Sequence, residues 1–134
     1  METYTLQRTG LPPLSFQGLL LAESVGEDSD GTTQGRTHSI AVYETDDGEF
    51  VVSVRFQSPF TSELSDNIVE AVSTKDEVEE VLSLYDATER LDAKLFDDDP
   101  TKRGRQRVAA ALQQRFDRQV LSVLKASVAR ESVA

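Results

Sequence analysis

The sequence predicts an α+β protein, an antiparallel β-meander of four or five strands packed with C-terminal helices. Three observations predict it. A strand pattern at Thr37–Thr45 and the alternating Phe50, Val52, Val54 and Phe56 flank Asp46-Asp47-Gly48, a tight hairpin signal. Thr74-Lys75-Asp76-Glu77 has the form of a capping box and opens a stretch with helical spacing. Beyond Pro100 no breaker except Gly104 interrupts the chain until about Arg130.

The elements follow in order. Tyr4 and Leu6 alternate with polar residues before a break at Gly10-Leu11-Pro12-Pro13. Leu14, Phe16, Leu20 and Ala22 then recur at even spacing with Gly18, the period of a half-buried strand with one face inward. Gly18 inside that strand suggests a bulge or a close backbone approach. Residues 26–35 are wholly polar and glycine-rich, and read as the most mobile loop. In the hairpin, Ile40 and Val42 share one face and Ala41 and Tyr43 the other, while Phe50, Val52, Val54 and Phe56 alternate cleanly. Residues 67–73 hold Ile68, Val69 and Val72, β-branched residues that favour a strand over a short helix.

In the second half Val78, Val81, Leu82 and Tyr85 form one helical stripe, and Leu91, Leu95 and Phe96 continue it on a rotated face after a kink or a second short helix. Asp97-Asp98-Asp99-Pro100 reads as a linker ending in an Asp cap with proline in the first turn. The last helix, about 100–130, places Val108, Leu112, Phe116, Val120 and Val123 on one face. Arg103, Arg107, Gln114, Arg118 and Lys125 lie opposite. At ~28 residues it would be ~42 Å long, enough to protrude or to pair two chains. The expected core is Phe16, Leu20, Val42, Phe50, Val52, Val54, Phe56, Val81, Leu82, Leu112, Phe116 and Val120.

Size and composition bound the function. A chain of 134 residues with 38% hydrophobic and 28% charged residues is expected to form one domain, strand-rich over 1–73 and helical over 74–134. No cysteine is present, which excludes disulfides, a thiolate nucleophile and thiolate metal sites. Met1-Glu2-Thr3-Tyr4-Thr5 does not resemble a signal peptide, and Leu19–Ala22 falls far short of the ~20 apolar residues of a membrane span. A cytoplasmic protein without membrane contact is expected. Residues 1–101 carry 22 acids and 6 bases, residues 102–134 only 2 acids and 8 bases.

That split makes Arg103, Arg107, Arg118 and Lys125 the candidate partner-binding residues. They could meet a protein, a second copy of the chain, or the phosphates of nucleic acid. No aromatic residue interleaves them, so a stacking platform for single strands is missing. The acidic remainder could instead imitate a nucleic-acid backbone. Asp28, Asp30 and Gly31 resemble the opening of a calcium loop, but Thr37 stands where that loop needs glutamate. Asp97, Asp98 and Asp99 do not converge in any regular structure. His38, the single imidazole, lies in strand phase with Ile40 and Val42, where a packed role is expected. Glu44 and Glu49 could pair across the hairpin, but nothing marks a pocket around them. The serines lack a nucleophile elbow and no phosphate-binding glycine loop occurs. No catalytic, cofactor-binding or metal-binding residues are therefore assigned.

Leu14-Ser15-Phe16-Gln17-Gly18-Leu19-Leu20-Leu21-Ala22-Glu23 and Val42-Tyr43-Glu44-Thr45-Asp46-Asp47-Gly48-Glu49-Phe50-Val51 resemble a pattern in small bacterial proteins without an assigned activity. There the second block reads Tyr-Arg-Thr, two residues, Gly, one residue, then Phe or Tyr and Val. An aromatic residue, often Trp, precedes it. Here Glu44 replaces the arginine and His38 stands near the aromatic position. The resemblance covers residues 14–56 and implies a bacterial intracellular protein, with no activity attached. The expected function is a non-enzymatic binding or regulatory protein, acting through an unidentified protein partner or a homo-oligomer. The alternatives are an acidic inhibitor that mimics nucleic acid, and nucleic-acid binding through the last helix.

Overall fold

The computed structural model describes residues 1–98 and 103–133, with side chains to residue 127. Five strands come first: β1 (Glu2–Arg8), β2 (Leu11–Val25), β3 (Thr37–Thr45), β4 (Phe50–Gln57) and β5 (Asp66–Val72). Helix α1 (Lys75–Leu84), a 3₁₀ turn (Ala93–Phe96) and helix α2 (Gly104–Val133) follow. The strands pair in chain order as one antiparallel meander. The α+β expectation holds, including the strand assigned to residues 67–73. The Asp99 cap and Pro100 of the expected linker lie outside the described residues.

The sheet curls. Thr9, in the turn after β1, donates its N–H to Asn67 O at 3.0 Å and accepts from Asn67 N at its Oγ1 at 2.8 Å, so the first and last strands meet. The inside of the curl is filled from every strand. Ala41, Tyr43, Val51 and Val69 are buried there, with Tyr4, Leu6, Leu14, Phe16 and Leu20 packed on them. Tyr4, Phe16 and Tyr43 touch as a trio with ring centroids 4.7 to 5.5 Å apart. The outer face carries the larger core, in which Ile40, Val42, Phe50, Val52 and Val54 meet Val78, Leu82, Phe116 and Val123 of the helices.

Strand β2 serves both cores because it changes phase. Leu20 pairs with Tyr43 but Ala22 pairs with Val42, leaving Leu21 as an extra residue. Before this bulge the even positions Leu14, Phe16 and Leu20 face the inside of the curl. After it Ala22 faces the helices, together with Leu21 itself. Sequence periodicity put Leu14, Phe16, Leu20 and Ala22 on one face, and the bulge corrects that grouping. Gly18 is the close approach: a Cβ there would lie 2.2 Å from Glu44 O. Pro12 and Pro13 do not break the chain. They lie within β2, where residues 11–17 pair with β1 alone and an absent N–H on the free edge costs no ladder bond. The turn is Thr9-Gly10, with Gly10 at φ 75°.

Helix α1 starts at Thr74, whose hydroxyl accepts from Glu77 N at 3.2 Å and also bonds the Glu77 carboxylate. Val78 and Leu82 are buried beneath it. Helix α2 docks rather than projects, with Val108, Leu112, Phe116 and Val123 buried. Gln119 pins it, donating from Nε2 to Ser24 Oγ at 3.1 Å and His38 O at 2.9 Å.

The loop at 26–35, expected to be the most mobile, is tightly fastened. Asp28 accepts from Thr33 N (3.2 Å) and Gly35 N (2.6 Å), closing the loop on itself. Arg115 of α2 reaches into it, bonding Asp28, Asp30 and Thr33 Oγ1. Thr33 is fully buried as a result.

Candidate functional site

Arg103 stands just before α2, where its carbonyl accepts from Arg107 N at 3.0 Å. Arg107, Arg118 and Lys125 follow on the helix, and all four side chains are exposed. At about 100° per residue the latter three fall within ~20° of one another, about 16 and 10 Å apart along the axis. Leu121, 69% exposed, stands on the same outer side, three residues after Arg118 and four before Lys125. Arg118 and Lys125 have no hydrogen-bond or ion-pair partner among the described residues. The outer side of α2 is thus an apolar knob between two cations.

A groove of about 470 Å³ runs between α1 and the helix-bearing face of β5. Its apolar part is Val54, Ile68, Val72, Val81, Leu84 and Tyr85. Five carboxylates line it, Glu70, Glu77, Glu80, Asp86 and Glu89, and no lysine or arginine does. Local structure explains the arrangement. Ile68, Glu70 and Val72 alternate onto one face of β5. Glu77, Glu80, Val81 and Leu84 recur at helical spacing beside the buried Val78–Leu82 stripe. Asp86 accepts from both Thr88 Oγ1 (2.7 Å) and Thr88 N (2.9 Å), which hold its carboxyl below the usual carboxylate range. Two cations stand beside the groove without lining it: Arg90 pairs with Asp66 at 2.8 Å, and the charge of Arg105 adds to the lowering at Asp86. Leu84, 76% exposed, is an apolar side chain left uncovered on the rim.

Four other ionisable side chains lie inside the structure: Arg36, Glu63, Asp28 and His38. Arg36, 1% exposed, forks onto Glu63, 3% exposed, with Nε–Oε1 2.6 Å and Nη2–Oε2 2.8 Å. Its guanidinium lies 4.5 Å from the Phe60 ring centroid and 5.4 Å from that of Phe96. Glu63 also accepts from Ser58 Oγ and Asp92 N, so one carboxylate ties together three connecting segments. Burial pushes its carboxyl up, but these donors outweigh burial and leave it below the ordinary value. The same balance holds at Asp28, where donors from Gly35, Arg115 and Thr33 outweigh burial. The carboxylates that resembled a calcium loop are therefore ligands of Arg115 and of the loop backbone. His38 is buried among Phe56, Tyr85 and Phe116, with ring centroids 5.1 to 5.6 Å away. Its Nε2 has no partner among the described residues, and burial pushes its pKa down to about 4.

The chain matches no family model, no curated protein and no solved structure.

Site assignment thus rests on geometry. The groove was missed by sequence reading because its two walls are 5–21 residues apart and belong to different periods, two in β5 and 3.6 in α1. The signal present was Glu77, Glu80 and Leu84 on one helical stripe, an apolar residue among acids adjoining the core face. Among the described residues, no cluster of histidine and carboxylate side chains could hold a metal ion. No helix of the described residues is long and apolar enough to cross a membrane.

Proposed function

We propose that this is a non-enzymatic binding protein whose α1–β5 groove takes a basic, amphipathic segment of a protein partner. The observation that carries this reading is the composition of the groove: an apolar floor walled by five carboxylates with no cation among them. An aliphatic side chain seated on Ile68, Val72, Val81 and Leu84 would remove apolar surface from water, about 25 cal/mol for each Å². Lysine or arginine at neighbouring helical positions would pair with the rim. Such pairing sets orientation and encounter rate more than affinity. Helix-in-groove recognition of this kind needs no chemistry from the binding protein.

Mimicry of nucleic acid draws on the same carboxylates but leaves the apolar floor without a role. Binding of nucleic acid through Arg107, Arg118 and Lys125 gains from their common face, yet the α1 side of the molecule would repel a polyanion.

The test is titration with a synthetic amphipathic lysine–leucine helix, followed by calorimetry. Binding by the natural chain is expected, weakened about tenfold or more in Glu77→Lys/Glu80→Lys, a change of ~1.4 kcal/mol or more. No binding, or equal binding by both proteins, overturns the reading.

A further inference from the structure

We infer that the occupant of the groove is the outer side of α2 of a second copy, so that copies of this chain join head to tail. This rests on the reading of the groove as a binding surface for basic amphipathic helices. The chain itself displays such a helix. Leu121 stands out from α2 with Arg118 and Lys125 on either side, one turn before and one turn after it. The groove offers the counterpart, aliphatic side chains between walls of glutamate, in a volume of about 470 Å³ that accommodates a leucine and the stems of two long cations.

The two surfaces cannot meet within one chain. Both helices lie against the same face of the sheet, and the side of α2 bearing Lys125 is turned away from it, opposite the buried Phe116 and Val123. They can meet only between copies. Charge selects the register. Two chains of net charge −10 repel in most orientations, and the contact that places Arg118 and Lys125 on the acidic rim is the one that reverses the sign. Knob and groove are different patches, so the contact is heterologous. Each added copy presents a fresh groove and a fresh knob, and the series either closes into a ring or continues as a fibre.

The experiment is sedimentation of the full chain over a concentration series, with Glu77→Lys/Glu80→Lys as the groove variant and Arg118→Glu/Lys125→Glu as the knob variant. All four positions are exposed, and circular dichroism of both variants is the check that they fold. The natural chain is expected to grow beyond one copy as concentration rises, and to return to one copy near 1 M salt, where the screening length is about 3 Å. Each variant alone is expected to stay at one copy. Their equimolar mixture is expected to form a two-copy species and nothing larger, because one working knob meets one working groove. A natural chain that remains single into the high micromolar range overturns the inference. So does assembly that survives in either variant, or a mixture that stays at one copy. If the natural chain is single yet the lysine–leucine helix still binds the groove, only the self-pairing falls. If that peptide also fails, the reading of the groove falls with it.

Discussion

At Arg36 a full positive charge lies beneath the surface, held by a carboxylate 27 positions away and by two aromatic faces. A buried pair of this kind is costly to break from one side, because the remaining charge keeps no partner. Glu63→Ala is expected to destabilise the protein by about 3–5 kcal/mol in urea unfolding, whereas Arg36→Met/Glu63→Leu should regain much of that loss. A double variant no more stable than Glu63→Ala would show that the pair has a role beyond charge compensation. His38 sets a separate dependence on acidity. Its folded pKa of about 4 lies below the ordinary 6.5, so the unfolded chain binds the proton first as pH falls. The corresponding stability is complete above pH 6.5 and is lost between there and about pH 4, amounting to about 3 kcal/mol. Stability measured against pH should decline in that window in the natural chain and stay flat in His38→Phe. Glu63, Asp28 and Asp86, all lowered, add their losses further down, as pH falls through their folded values. Neither Arg36 nor Glu63 was legible beforehand: each lies in a connecting segment where no periodicity marks burial. His38 was legible as a packed residue, from its strand phase with Ile40 and Val42.

Two elements defined by local pattern were read correctly. The β3–β4 hairpin follows from alternation and the Asp46-Asp47-Gly48 turn, and α1 from its Thr74 cap. What local pattern cannot contain is a fastener from elsewhere, and the 26–35 loop shows the consequence. Its polar composition suggests mobility, but Arg115 reaches it from 80 or more residues down the chain. Arg115→Ala is expected to leave the sheet intact while speeding amide exchange across residues 28–36 by about tenfold or more, since local openings are governed by their own contacts. Unchanged protection would show that Asp28 alone, through Thr33 N and Gly35 N, closes the loop.

For the whole molecule, the charge division along the sequence becomes a division between surfaces. Acids of residues 66–90 gather around β5 and α1, and Arg107, Arg118 and Lys125 of α2 line its outer side. The sequence contained the sign of each segment but not the groove, because a groove is made by the distance between two elements. The inner and outer sides of α2 are expected to behave differently. Phe116→Ala should lower stability by about 3–5 kcal/mol by opening a cavity where both helices meet the sheet. Leu121→Ala should change the stability of a single copy by less than about 0.5 kcal/mol, while lowering the mass reached at high concentration. Thermal unfolding and sedimentation of the two variants separate the roles.

The extra residue at Leu21 has a consequence for how the length of this protein can vary. Insertions at Thr9-Gly10 or Asp46–Gly48 lengthen turns and leave every strand in phase. Removing one residue at Leu21 would do the opposite. The first twenty residues would have to turn over, carrying Leu14, Phe16 and Leu20 to the helix side, or β2 would have to slip by one position against β3. Turning over would withdraw Leu14, Phe16 and Leu20 from the inside of the curl, where they pack on Tyr43 and its neighbours. Relatives of this chain, aligned to it, should therefore place their gaps in the turns and keep the spacing between Gly18 and Ala22 fixed, whatever side chains occupy it.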